Sequence, residues 1–171
     1  MTRTLVERYP WARELFKLSP LPLFESVYLA TDKFLTKEEQ QEFEKRLSDT
    51  RITQPAVILS SLIWTELFSK LGIEPHISLG HSLGELTAFY KAGAFNKEAL
   101  IKFVQLRGEL MAADSRSSGS MVSLFCSKDK AEALIKKTSG NIVIANTNSP
   151  NQIVVSGGKK EIERIKTSKC F

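Results

Sequence analysis

The stretch from Pro55 to Leu71 places Val57, Ile58, Leu59, Leu62, Ile63, Trp64, Leu67, Phe68 and Leu71 in a single run of helix-forming sequence. At about 100° per residue these positions cover most of a helix circumference, so the helix must be covered on nearly every side. That demand fits a layered α/β domain in which the helix packs against a sheet. Pro55 suits a first helical position, and Gly72 follows the last apolar residue as a C-terminal cap.

The elements around this helix follow from local signals. Residues 1–17 read as a short amphipathic helix with Leu5, Tyr9, Trp11 and Phe16 as its apolar members, and Pro20 and Pro22 prevent its continuation. Thr36 and Glu39 have capping-box spacing and open a polar helix through about Leu47. Pro75 to Gly80 reads as a short strand, followed by a helix from about Leu83 to Lys91 that Gly93 ends. Asn96 caps a further helix, Lys97 to about Ala113. Beyond the polar connector Ser115 to Gly119 the texture changes. A strand (Met121–Cys126), a helix (Lys128–Lys137), a strand (Asn141–Asn146), a turn at Asn148–Asn151, a strand (Gln152–Ser156) and a helix (Gly158–Lys166) follow in turn. This is β-α-β-β-α, five of the six elements of a ferredoxin-like split βαβ unit. The chain therefore divides near residue 118, into residues 1–118 and residues 119–171.

Composition narrows the function classes. With 171 residues, 42% hydrophobic and 25% charged, the chain is neither disordered nor fibrous. The net charge of +5 is spread among interleaved acids with no polybasic arm, which argues against nucleic-acid binding. The two cysteines, Cys126 and Cys170, match no metal-ligand spacing and read as reduced thiols. The N-terminus lacks a signal-peptide core, and the run Ala56–Trp64 is too short to span a bilayer. No membrane association and a cytoplasmic location are expected.

Chemistry concentrates at Gly80-His81-Ser82-Leu83-Gly84, a G-x-S-x-G sequence with a candidate strand before it and a helix after it. Flanking glycines remove side chains that would collide at a sharp strand-to-helix turn. The turn lifts the Ser82 hydroxyl to a helix N-terminus, where the Leu83 N–H and the helix dipole can stabilise an oxyanion. The same five residues also fit a tight glycine turn without chemistry. A serine nucleophile needs a base, and the chain has only His76 and His81. His81 adjoins Ser82 and diverges from it, which suits packing and hydrogen bonding beneath the turn. His76 lies at the far end of the candidate strand and reads as a loop or surface residue. On the helix Lys97–Ala113, Leu100, Phe103, Val104, Arg107 and Met111 share one face, with Arg107 its only charge. Arg107 requires a carboxylate, an internal salt bridge or a route for its head to water.

Gly80-His81-Ser82-Leu83-Gly84-Glu85, with Thr53-Gln54-Pro55-Ala56 before it and Leu106-Arg107-Gly108-Glu109-Leu110-Met111 after it, resembles the acyltransferase family. That family comprises malonyl-CoA:acyl-carrier-protein transacylases and polyketide synthase acyltransferase domains. Gly119-Ser120-Met121 and the run Asn146 to Gly157 resemble its small subdomain, and the likeness extends from about residue 5 to 166. The resemblance implies a serine-elbow, α/β-hydrolase-like large subdomain with an inserted ferredoxin-like small subdomain, both incomplete here. It implies that Ser82 accepts a malonyl group from CoA and passes it to the phosphopantetheine thiol of acyl-carrier protein. Arg107 would hold the malonyl carboxylate, His81 would border the substrate, and the Leu83 N–H would be one oxyanion donor. No metal or redox cofactor is implied; acyl-CoA is a substrate and acyl-carrier protein the partner.

The family's Gly-Gln-Gly-x-Gln loop and its catalytic histidine have no counterpart among these residues. The resemblance thus implies the middle piece of a longer enzyme, in fatty-acid or polyketide synthesis, whose activity as 171 residues alone would be impaired. An incomplete sheet would also leave the apolar helix partly uncovered. Two alternatives are an acyl hydrolase of the same fold, which would have no use for Arg107 if its substrates were neutral, and a non-catalytic fragment or docking module. A lipase-like α/β-hydrolase would place an acid and then a histidine after the serine, and no histidine follows Ser82.

Overall fold

The computed structural model describes residues 2–19, 36–113 and 119–167. The chain is α/β and forms two compact units, residues 1–114 and 115–171. The expected proline break at 20–22 and the connector residues 115–118 lie outside the described residues, as does Cys170.

The first unit is helical among its described residues. Helices α1 (Arg3–Arg8) and α2 (Pro10–Glu14) are followed by a 3-10 turn (Leu15–Leu18). They replace the single helix expected over residues 1–17. Pro10 has no N–H to continue α1, and Tyr9 adopts an extended conformation before it. The capping box at Thr36 is present in both directions, with Thr36 N–H donating to Glu39 Oε2 at 2.8 Å and Glu39 N–H to Thr36 Oγ1 at 3.2 Å. It opens α3 (Lys37–Leu47), which buries none of its residues.

Helix α4 (Thr50–Lys70) begins five residues before the expected start at Pro55. Asp49 is the cap, its Oδ1 accepting from Arg51 N–H at 2.9 Å, and Thr53 Oγ1 donates to the Asp49 carbonyl at 3.0 Å. These bonds hold the first turn, so Pro55 is carried inside the helix. The C-terminus ends as expected. Gly72 has φ +77°, its N–H bonds to the Ser69 carbonyl, and Ile73 N–H reaches back to Phe68 O at 2.9 Å. This is a Schellman closure.

Ile58, Leu59, Leu62 and Ile63 of α4 pack with Leu100, Ile101 and Val104 of α6 (Lys97–Ala113) and with Val6, Ala12, Leu15 and Phe16. The expected sheet against α4 is absent among the described residues, and α4 packs chiefly on α6. Its other side, with Val57, Trp64 and Phe68, is 40–46% exposed. Gly108 permits close approach of the two helices. A Cβ there would lie 2.8 Å from the Thr50 carbonyl oxygen, and Thr50 Oγ1 donates to the Gly108 carbonyl at 2.9 Å.

Helix α5 (Leu83–Lys91) ends at Gly93, with φ +82° and Ala94 N–H bonded to Phe89 O. Asn96 caps α6 through Oδ1, which accepts from Ala99 N–H at 2.8 Å. Glu66 of α4 joins both neighbours, pairing with Lys97 Nζ at 2.6 Å and accepting from Tyr90 Oη at 3.4 Å. Burial pushes the Tyr90 hydroxyl above its ordinary pKa. Burial, the largest single influence, pulls Lys97 down, but the Glu66 hydrogen bond together with the nearby Tyr90, Glu66 and Glu98 charges leaves the ammonium above the usual lysine value.

The second unit runs β1 (Gly119–Leu124), α7 (Lys128–Lys137), β2 (Ile142–Ser149), β3 (Gln152–Gly158), α8 (Lys159–Thr167). The strands form one antiparallel sheet in the order β1-β3-β2, with Val122 opposite Val155 and Ile144 also opposite Val155. Leu124, Ile142, Ile153 and Val155 from the sheet meet Ala131 and Leu134 of α7 and Ile162 and Ile165 of α8 in one core. The order of elements is the one the sequence predicts, with β1 beginning two residues earlier and β2 and β3 running longer. Among the described residues no helix is long and apolar enough to cross a membrane, and no His, Cys, Asp and Glu cluster could hold a metal ion.

Candidate functional site

Between Ile73 and Gly80 the chain is irregular, not the expected strand. A strand exists only through a ladder with a partner, and no partner strand occurs among the described residues of this unit. Ile77 and Leu79 are accordingly 79% and 91% exposed. The turn that follows is sharp. Ser82 has φ +51° and ψ −110°, the one non-glycine residue with positive φ among those described. Such a conformation costs of order 1–3 kcal/mol for an L-residue. At Gly80 an added Cβ would overlap the backbone of Gly84 and Glu85, so the turn requires glycine there. Gly84 differs from the expectation: a Cβ would meet nothing within 4 Å, because this position looks onto open space.

Helix α5 then begins at once. Ser82 N–H donates to Glu85 Oε1 at 2.9 Å, and Glu85 N–H donates to the Ser82 carbonyl at 3.2 Å. These bonds fix the entry into the helix. The Leu83 N–H, at the first helical position, has no acceptor among the described residues and stands beside Ser82 at the positive end of the helix dipole. Anions are favoured at such a position.

Helix α6 brings Arg107 to the same place. Its Nη2 donates to Ser82 Oγ at 3.3 Å. Ser82, Leu86, Phe103, Arg107, Leu110 and Met111 line an open cavity of about 510 Å3. Here the structure corrects the expectation that Leu100, Phe103, Val104, Arg107 and Met111 share one face. Leu100 and Val104 are buried in the core, whereas Phe103, Arg107 and Met111 line the cavity. Phe103 is offset from Leu100 by about 60° around the helix, and Arg107 and Met111 lie further along its axis than Leu100 and Val104. Arg107 therefore faces the cavity rather than the core. It has no carboxylate within ion-pair distance among the described residues, and its other hydrogen bond goes from Nη1 to Gln54 Oε1.

Gln54 is the residue that sequence reasoning missed as a member of the site. It is only 5% exposed, and its Nε2 reaches Met111 Sδ at 3.2 Å. One signal was available. Gln54, Ile58 and Leu62 fall at i, i+4 and i+8, so an amide stands on the buried stripe of α4, where a polar group requires partners.

The histidines fall outside this constellation. His76 is exposed, as expected. His81 is also exposed, and its side chain makes no hydrogen bond among the described residues, which corrects the expectation that it packs and bonds beneath the turn. Its backbone carbonyl accepts from Gly84 N–H at 2.9 Å.

A second cavity, of about 480 Å3, lies beside Gly84 and is lined by apolar groups including Phe68, Ile73, Ile77 and Leu79. Its one charged lining group, Lys91, pairs with Glu74 at 2.5 Å and donates to Ser69 Oγ at 2.9 Å. The Lys91 hydrogen bond holds the Glu74 carboxyl below the ordinary glutamate value. Reactive groups therefore converge at the Ser82 cavity and not at this one.

Comparison with known proteins gives the same direction. The family described as "Acyl transferase domain" matches residues 24–168. The malonyl CoA-acyl carrier protein transacylase of Haemophilus influenzae is 34% identical over 173 residues, covering 96% of this chain and 52% of that protein. The protein of the same name from Synechocystis sp. is 38% identical over 130 residues, covering 75% of this chain and 43% of its own length. The chain thus spans about half the length of these relatives. Among solved structures, PlMCAT:AntF (holo), a type II PKS acyl-carrier protein in complex with its malonyl-transacylase, superposes with a TM-score of 0.78 at 27% identity, over 96% of this chain and 52% of that one. With its elbow serine, its helix-borne arginine and a family match across most of its length, the chain belongs to the acyl transferase domain family.

Proposed function

We propose that the protein transfers a malonyl group from CoA to the phosphopantetheine thiol of an acyl-carrier protein through an ester on Ser82. The observation that carries this reading is Arg107, a cation without an acid partner among the described residues, 3.3 Å from the serine hydroxyl in one cavity. A guanidinium so placed can bind a carboxylate through two parallel hydrogen bonds. A dicarboxylic acyl group offers that carboxylate while its thioester end lies against Ser82.

In the first half-reaction Ser82 Oγ attacks the thioester carbonyl, the C–S bond breaks, and CoA leaves as the thiol. The Leu83 N–H donates to the oxyanion that forms. In the second half-reaction the carrier thiol sulfur attacks the ester carbonyl, the bond between the acyl carbon and Ser82 Oγ breaks, and the thiol's proton passes to Ser82 Oγ. Neither His76 nor His81 bonds Ser82 Oγ. The general-base histidine that the resemblance implies has no counterpart among these residues; Ser82, Leu83 and Arg107 are the groups that this chain contributes. The reaction calls for no metal or redox cofactor. The complex of a related transacylase with its carrier protein supports acyl-carrier protein as partner.

The fold supports the same reading at finer grain. Residues 1–118 would form part of the serine-elbow, α/β-hydrolase-like large subdomain, for which the strained turn at Ser82 before α5 speaks. Residues 119–171 would form part of a ferredoxin-like small subdomain, for which the antiparallel order β1-β3-β2 and the two helices in one core speak.

Incubation of the full-length gene product with malonyl-CoA, followed by intact mass and peptide mapping, tests the proposal. One malonyl group on Ser82, absent in Ser82→Ala and released by holo acyl-carrier protein, is the expected result. Labelling that persists in Ser82→Ala, or no ester in the full-length protein, would overturn it.

A further inference from the structure

Gln54 stands behind Arg107, and the type of group it presents is informative. Arginine carries only N–H donors, so the Gln54 atom facing Arg107 Nη1 is the carbonyl oxygen Oε1, and the amide nitrogen is the one turned to Met111 Sδ at 3.2 Å. The side chain is buried, the next residue is Pro55, and both of its polar ends are engaged. Helix α4 at this point is pinned to α6 by the Thr50 to Gly108 hydrogen bond and by the close contact that Gly108 allows. The acceptor is therefore held on one helix while the arginine is held on the other.

A carboxylate in this position would also hold the guanidinium, but it would form an ion pair and neutralise it. An amide oxygen fixes the orientation and leaves the full positive charge. We infer that Gln54 is a positioning residue that orients Arg107 toward the cavity while keeping its charge available for an incoming carboxylate. The inference deepens the proposed function and rests on it for the identity of that carboxylate; the contact itself stands independently.

The role separates into two measurable parts. Orientation is read from the Arg107 side-chain resonances of isotopically labelled protein. In the wild type the two Nη groups give distinct signals, because the Gln54 hydrogen bond slows rotation of the guanidinium. In Gln54→Leu they merge, and in Gln54→Glu they stay distinct. Charge is read from binding of malonyl-CoA relative to acetyl-CoA. The preference for malonyl falls by about tenfold in both variants, in Leu through lost orientation and in Glu through neutralisation. Met111→Leu, which removes the sulfur acceptor behind Gln54 and keeps an apolar group in the cavity wall, serves should Gln54→Leu fail to fold; it broadens the Nη signals without removing the arginine. Merged signals in the wild type, or a malonyl preference unchanged in Gln54→Glu, would overturn the inference. Distinct wild-type signals that merge in Gln54→Leu, with no wild-type preference for malonyl, would support the positioning contact and retire the malonyl-carboxylate reading.

Discussion

The Arg107 guanidinium donates through Nη2 to the Ser82 hydroxyl oxygen at 3.3 Å, across 25 residues of sequence. The bond ties the middle of α6 to the entry of α5. Under the proposed function, it would also make the serine oxygen and a substrate carboxylate compete for the Nη2 N–H groups. A carboxylate offers two oxygens and a charge where the hydroxyl offers one neutral acceptor, so the acid wins the guanidinium. Under the proposed function, substrate binding would leave Ser82 free of that hydrogen bond for its attack on the thioester.

Arg107→Ala should therefore change selectivity more than chemistry. Malonyl transfer should fall by roughly 10- to 100-fold relative to acetyl transfer, the scale of one lost charge-assisted pair. Parallel rate measurements with malonyl-CoA and acetyl-CoA in the full-length protein check this. Equal losses for both substrates would show that the arginine serves Ser82 and not the acyl group.

Ser82 couples function to strain. Its φ of +51° and ψ of −110° suit glycine far better than serine. Ser82→Gly should abolish the acyl ester and raise stability by about 1 kcal/mol over Ser82→Ala, which lacks the hydroxyl but keeps the strained backbone. Urea unfolding midpoints of the two variants give the comparison.

Gly108 sets the distance between α4 and α6. Alanine there gains roughly 1 kcal/mol of helix propensity, yet its Cβ would meet the Thr50 carbonyl oxygen at 2.8 Å and Arg51 Cα at 3.1 Å. Both are backbone atoms that cannot rotate away. Gly108→Ala should cost a net 1–3 kcal/mol or so, and should weaken malonyl preference by shifting Arg107 away from Gln54. Thermal unfolding and the paired substrate assay read the two effects.

The cap of α4 titrates. The side-chain hydrogen bond from Arg51, followed by the Arg51 backbone N–H, holds the Asp49 carboxyl below its ordinary value. A carboxyl with a depressed folded-state pKa adds stability that is present above the ordinary aspartate range and is lost as pH falls through the folded value. Asp49→Ala should cost about 1 kcal/mol at neutral pH. The difference from wild type should shrink through the acid side of pH 4 or so, the ordinary aspartate value. Urea titrations at several pH values measure it; a difference constant with pH would show that the charge plays no part.

Much of the local structure was legible in residue order, because caps and turns depend on atoms only a few positions apart. Thr36 with Glu39, Asn96, Gly72 and Gly93 mark helix ends that the structure places where expected. The alternation after Gly119 likewise announces β-α-β-β-α. The G-x-S-x-G sequence marked the elbow, since Gly80 is the one residue that clears the backbone of Gly84 and Glu85. Even locally there were misses. Pro55 looked like a start, but Asp49 satisfies the first turn and draws the helix upstream.

What tertiary structure alone decided is which faces meet. No periodicity could tell that Leu100 and Val104 enter the core while Phe103, Arg107 and Met111 turn to the cavity, since apolar side chains occur in both sets within one arc of the helix. Nor could spacing show that Gln54 would lie against Arg107, 53 positions away, or that Pro75 to Gly80 would find no partner strand. Sequence by itself determined several helix ends, the order of elements after Gly119 and the serine turn, through short-range hydrogen bonds and backbone sterics. The packing of α4 on α6 across Gly108 decided where the arginine points and what holds it. Those are relations between distant residues, and only the folded chain brings them within hydrogen-bond reach.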